Sequence, residues 1–249
     1  MTTVTLTVIT TARIIPQVIT AATTEVAMQS RALLHLMHLI SPSLPVGGFA
    51  YSQGLEYAID SGWLKDQQQL HDWLSGVLSE GMARVDLPLL IRFQRAYQEG
   101  SEAEVSYWNH WLKANRETKE LLFEDEQMGA ALKRLLVSLE IVAADDAMPP
   151  QPTYCSQFAR AGNHYQVPEA ELLQGFAWSW LENQVAVACK TVPLGQTAAQ
   201  KLLLGLMPCI EQAVTTALAL EDEELGATLP GVAMASALHE TQYSRMFRS

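Results

Sequence analysis

The stretch SPSLPVGGFAYSQGLE, Ser41 to Glu56, restricts the folding of this chain more than any other. Pro42 and Pro45 fix φ and remove two backbone donors, while Gly47 and Gly48 open backbone angles closed to other residues. A helix cannot run through it. Directly after it, Tyr51, Leu55, Ala58 and Ile59 are spaced as one helical face, with Gln53 and Glu56 elsewhere on the same turns. Two readings follow from the residues alone: a plain connection between helices, or a rigid corner that presents polar groups from a fixed backbone.

Around that corner the pattern is helical almost throughout. Leu33, Leu36, Met37 and Ile40 make an apolar stripe, with Arg31, His35 and His38 on the opposite face. Asp66 with Gln69 three residues on reads as a capping box opening a helix that carries Leu70, Trp73, Leu74, Val77 and Leu78. Pro88 marks a first turn for a helix with Leu89, Phe93 and Tyr97 inward, and Ser101 with Glu104 opens another with Trp108, Trp111 and Leu112. The charge-rich run from Arg116 to Leu136, with Arg116 and Glu120 one turn apart, predicts a solvated helical face. Ala143 to Pro152 predicts a loop. Pro168 predicts the first turn of a long helix through Trp178 and Val185 that stops at Pro193, and a further helix carries Leu202, Leu203, Leu206 and Ile210.

No alternating strand pattern and no fixed repeat interrupts this. The fold class predicted is all-α, a single compact multi-helix domain over 28–249, with a flexible leader over 1–27 and a C-terminal docking tail over 222–249. The leader is rich in Thr, Val and Ile, is broken by Pro16 and makes a poor secretory signal. It is expected to be disordered or not native, with Met28 as a plausible start.

With 249 residues, 49% of them hydrophobic, the chain has material for a sizeable core. A net charge of -11 with 16 scattered basic residues argues against nucleic-acid binding, which needs clustered Lys and Arg. Cys155, Cys189 and Cys209 are odd in number and widely spaced, as reduced thiols and not as a disulfide framework or metal site. No apolar run approaches the roughly 20 residues that span a bilayer, so no membrane role is expected.

Catalytic motifs are missing. His239 and Glu240 begin a zinc-peptidase pattern, but the required second His one turn on is Tyr243. His35 and His38 could face one ion, yet no third ligand is identifiable beside them. There is no phosphate-binding GxxxxGK[ST] loop and no GxSxG. No catalytic, cofactor-binding or metal-ligating residue is assigned, and an enzyme is not expected. Tyr243, Arg245, Phe247 and Arg248 instead combine aromatic area with guanidinium forks, the residue types of interface hot spots.

Three blocks carry a family resemblance. PVGGFAYSQGLE followed by Gly62 and Trp63, KTVPLGQTAAQKLLL from Lys190 to Leu204, and HETQYSRMFRS from His239 to Ser249 are similar, in that order, to blocks of the urease accessory protein F family. The resemblance implies an all-helical, homodimeric, cytoplasmic adaptor in assembly of the urease nickel centre. It implies binding to the accessory protein D/H, recruitment of the nickel-carrying GTPase G with modulation of that GTPase, and action on the urease apoprotein. Partner D/H is gripped in the family through the first helix region and the tail, which maps to His239, Glu240, Tyr243, Arg245 and Phe247. The GTPase maps to Gly47, Gly48, Phe49, Tyr51 and Arg245, with Phe49 standing where relatives often have Tyr. Lys190 and Gln196 match the central block and face either a partner or simply the end of a helix, where Lys190 complements the dipole. A nickel-binding carrier and a helical small-molecule enzyme are the alternatives in other classes.

Overall fold

Phe93 and the residues around it on one helix are enclosed on every side, and the other helices are arranged to enclose them. The computed structural model describes residues 28–146, 148–192 and 194–249. The expectation for the leader 1–27 lies outside the described residues. Helix α1 covers 28–39 and runs into the proline corner, which contains a single 3-10 turn, Gly48–Ala50. Then come α2 (Leu55–Asp60) and α3 (Gln67–Gly76), which continues into a π-helical turn at Val77–Met82. Next follow α4 (Asp86–Glu99), α5 (Glu102–Ala114), α6 (Lys119–Ser138) and α7 (Tyr154–His164). The last are α8 (Glu169–Thr191), α9 (Gln196–Ala219) and α10 (Pro230–His239). No strand occurs among the described residues.

Helix α4 is the centre of the domain. It packs against α5, α7, α8 and α9, and Leu87, Leu89, Leu90, Ile91, Phe93 and Ala96 are buried along it. An apolar set that extends around a helix, not along one stripe, requires partners on several sides. Helix α6 packs on α7, α8 on α9, and α10 on α2 and α6. That last contact brings the end of the chain back to the corner.

The caps follow local chemistry. The Asp66 carboxylate accepts from the Gln69 amide at 2.9 Å, and the Gln69 side chain accepts from Lys65, one residue earlier than a capping box would have it. Ser101 caps α5 through the Glu104 amide, and Pro168 is the N-cap of α8, immediately before its first turn.

Two expectations are corrected. The buried stripe of α1 is Ala32, Leu36 and Leu39, with Ile40 partly covered, while Leu33, Leu34 and Met37 are exposed. Apolar residues occupy two adjacent faces of α1, and periodicity cannot choose between them. Contact with α8 chooses, since Leu36 lies against Gly175, where a Cβ would stand 2.6 Å from its Cδ1. The charge-rich α6 is not a purely solvated face either. Glu124 and Asp125 are buried, and Arg116 pairs with Asp86 and Asp125 and not with Glu120.

Candidate functional site

The corner and the C-terminal segment form one unit. Gly54 has φ 80, and a Cβ there would stand 2.6 Å from the Ser236 amide nitrogen in α10. Only glycine supports both that angle and that approach. Helix α10 therefore lies directly on the corner, and Ser236 also meets Thr118, the N-cap of α6, hydroxyl to hydroxyl at 2.7 Å.

His239 ends α10 fully buried between two carboxylates. Its Nδ1 lies 2.8 Å from Glu120 Oε2 and its Nε2 3.0 Å from Glu56 Oε2. Each ring nitrogen is thus within hydrogen-bond distance of one of the two acids, and the ring is held from both sides. Glu56 has further work. Its Oε1 accepts from the Met246 amide at 2.7 Å and its Oε2 from the Phe247 amide at 3.1 Å. Glu120 accepts from Arg245 Nη1 at 2.7 Å. One acid from α2 and one from α6 thus hold both sides of the tail.

The tail then runs back along the corner. Arg248 donates its amide to the Ala50 carbonyl at 2.7 Å, and the Ser249 backbone oxygen accepts from the Ser52 hydroxyl and from the Gln53 amide. The Ser249 hydroxyl donates to Glu124 Oε2 at 2.9 Å, and Gln53 Nε2 donates to Glu124 Oε1 at 2.8 Å. Trp180 of α8 donates to Gln53 Oε1, and Asn183 to the Tyr51 carbonyl. Burial pushes the Glu124 carboxyl up to about 7, against the opposing pull of its two donors. Burial likewise raises the Tyr51 phenol.

Beside this unit is a cavity of about 200 Å³ lined by Gly48, Phe49, Gln53, Glu124, Arg116 and Trp180, among others. Its floor includes a buried ion triad. Arg116 donates to Asp125 Oδ2 at 2.8 Å and to Asp86 Oδ1 at 2.7 Å. Burial alone would lower the guanidinium, but the two carboxylates more than offset it and hold the charge above its ordinary range. Burial raises Asp125, with Arg116 opposing.

The structure gathers most of the residues singled out in the sequence. Tyr51, His239 and Phe247 are buried within the corner and tail; Lys190, exposed at the end of α8, sets its ammonium 5.2 Å from the Phe247 ring. Gly47, with φ 81, and Phe49 are exposed, and Gly48 is half-buried. Glu240 and Arg245 are exposed, and Tyr243 is exposed completely. Gln196 opens α9 and makes no hydrogen bond to the corner or tail among the described residues. The first segment of the tail is therefore held at His239 and again at Phe247, and between them Glu240, Tyr243 and Met246 point outward.

Sequence reasoning did not pick out Glu56, Glu120, Glu124 or Gln53 as a clamp. The available signal was Glu120 and Glu124 one turn apart on α6, and Glu56 on the turn carrying buried Leu55 and Ala58. Among the described residues no group of three His, Cys, Asp or Glu is placed to hold a metal ion.

A family model described as UreF matches residues 64–207. The chain is 56% identical over 217 residues to the urease accessory protein UreF of Teredinibacter turnerae, covering 87% of this chain and 98% of that protein. It is 54% identical over 218 residues to the same-named protein of Chromohalobacter salexigens, covering 88% and 95%, and 53% identical over 222 residues to that of Pseudoalteromonas translucida, covering 88% and 94%. The corner and tail lie on either side of the stretch that the family model matches.

Proposed function

This chain belongs to the UreF family of urease accessory proteins, and on that premise we propose that it is a non-enzymatic adaptor in maturation of the urease nickel centre. Membership implies a role in urease maturation. The finer reading is that a cytoplasmic homodimer of the 28–249 domain bridges the accessory protein D/H and the nickel-carrying GTPase G, delivers both to the urease apoprotein, and modulates the GTPase by binding one of its states better than another.

One observation carries this reading. Residues 240–246 are pinned at both ends, by the His239 clamp and by the Phe247 and Ser249 contacts, yet Tyr243 and Met246 make no contribution to the core. Large apolar groups held outward on an already ordered backbone bind a partner without the cost of ordering it. Phe49 at the corner and Leu33, Leu34 and Met37 on α1 are exposed as well. These form the surfaces offered to D/H and to the GTPase. Arg245 helps to hold this segment in place, since it is engaged with Glu120 and the His239 carbonyl.

The test is light scattering after size exclusion on mixtures with D/H and the GTPase. Tyr243→Ala combined with Met246→Ala, both at exposed positions, should abolish the multi-subunit complex while leaving the thermal unfolding of the isolated chain unchanged. Full complex formation by that variant would remove the tail from the binding surface.

A further inference from the structure

The cavity beside the corner is apolar over much of its wall, through Leu44, Val46, Val77, Met82, Met128 and Leu229. Val77 and Met82 begin and end the π-helical turn, a backbone irregularity that recurs at functional sites. Against this apolar lining stand a few polar groups whose hydrogen-bonding capacity is only partly used. Arg116 spends Nε on Asp125 and Nη2 on Asp86, and its Nη1 makes no hydrogen bond among the described residues. Asp86 accepts through Oδ1 and not through Oδ2. The Tyr154 phenol likewise has no hydrogen-bond partner among the described residues, and burial raises it, so it keeps its proton and is free to donate. None of these three atoms is sealed inside the protein, and all three residues line the cavity.

We propose that this cavity is a binding site for a small neutral carboxamide with an apolar body. The charges select the class. Arg116 is already matched by two acids, so an anion would meet Asp86 and Asp125 with no cation to spare. An ammonium would bring further donors to the guanidinium and the phenol, which are donors themselves. A carboxamide satisfies both kinds of open group. Its oxygen accepts from Arg116 Nη1 and from the Tyr154 hydroxyl, and its nitrogen donates to Asp86 Oδ2.

The size and lining select the body. Ligand sites are mostly apolar, with a small number of placed polar groups that fix orientation. An apolar cavity of about 150 Å³ holds benzene, so the 200 Å³ here admits a ring of that size with one amide attached. Gly48 and Phe49 line the same cavity, so its occupant touches the corner surface. Binding is a property of the isolated chain and does not depend on the adaptor reading.

Benzamide is the probe, titrated to about 10 mM into the full chain, since a ligand of so few atoms binds at about millimolar strength. The reporter is the indole N–H of Trp180, the one tryptophan of six that lines the cavity, identified by its loss in Trp180→Phe. Its signal in proton–nitrogen correlation spectra should shift saturably with benzamide. Benzoate, benzylammonium and toluene, which keep the ring and change the polar group, should bind about tenfold more weakly. Tyr154→Phe should unfold at the native temperature and bind benzamide about fivefold more weakly, as one lost hydrogen bond requires. Val46→Phe, which fills part of the cavity, should abolish the shift. Absence of a saturable Trp180 shift, or benzamide binding unchanged in both variants, would overturn the site. Equal or tighter binding of benzoate or benzylammonium would overturn the neutral class, and equal binding of toluene would overturn the role of Arg116, Asp86 and Tyr154.

Discussion

Glu56 and His239 are separated by 183 positions in sequence and by 3.0 Å in space, carboxylate Oε2 to ring Nε2. The same carboxylate accepts the amides of Met246 and Phe247. One buried acid next to the corner thus fixes both ends of the segment that presents Tyr243.

Replacing that acid should release the segment. Glu56→Ala leaves the Met246 and Phe247 amides and the His239 Nε2 without their acceptor, while Nδ1 keeps Glu120, at a cost of about 3 kcal/mol or more. The expected result is a lowered midpoint of thermal unfolding together with faster hydrogen exchange at the Met246 and Phe247 amides. Exchange that stays slow at both positions would mean that the tail is held by other contacts.

The corner glycines should separate by mechanism. Gly54 and Gly47 both have positive φ, 80 and 81, but only Gly54 faces the backbone of α10. Gly47→Ala meets nothing within 4 Å and should cost about 1 kcal/mol in backbone strain alone. Gly54→Ala adds a collision with Ser236 and Ala235 and should cost clearly more, about 2 kcal/mol or above. Equal losses in denaturant titration of the two variants would refute the close approach.

How much of this was legible follows from the range of each interaction. Asp66 and Ser101 cap helices through partners three residues away, and the inward sets of α3, α4 and α5 show in their spacing, so these elements were readable. The α1 stripe was not, because its apolar residues fill two faces and only contact with α8 selects one. The acids of α6 were misread as solvated for the same reason. Their partners, Arg116, Gln53, Ser249, His239 and Arg245, come from the corner, the α5–α6 turn and the far end of the chain, and no local pattern joins them. The quoted blocks containing Gly54 and His239 did mark the two surfaces that meet.

The buried triad gives a prediction about charge and not about shape. Arg116→Met removes the cation between Asp86 and Asp125 and leaves two carboxylates facing each other in a poorly hydrated site, a loss of about 3–5 kcal/mol. Adding Asp125→Asn to that variant removes one of the stranded charges and should recover part of the loss, measured as the midpoint of denaturant unfolding. Two losses that simply add would show that the three groups act independently.

Glu124 sets a pH dependence whose sign can be worked out. Its carboxyl ionises near 4.5 in an unfolded chain and holds its proton to about 7 when folded. Between those values the folded state binds more protons, so stability falls as pH rises and levels off once the folded group has ionised. Glu124→Gln copies the protonated form, accepting from Gln53 through its oxygen and donating to Ser249 through its amide. Relative to this variant the native chain should lose up to about 3 kcal/mol between roughly pH 4.5 and pH 7, at about 1.4 kcal/mol per unit. The check is thermal unfolding of both proteins across that range. Parallel curves would show that Glu124 is ionised throughout, because its two hydrogen-bond donors outweigh its burial.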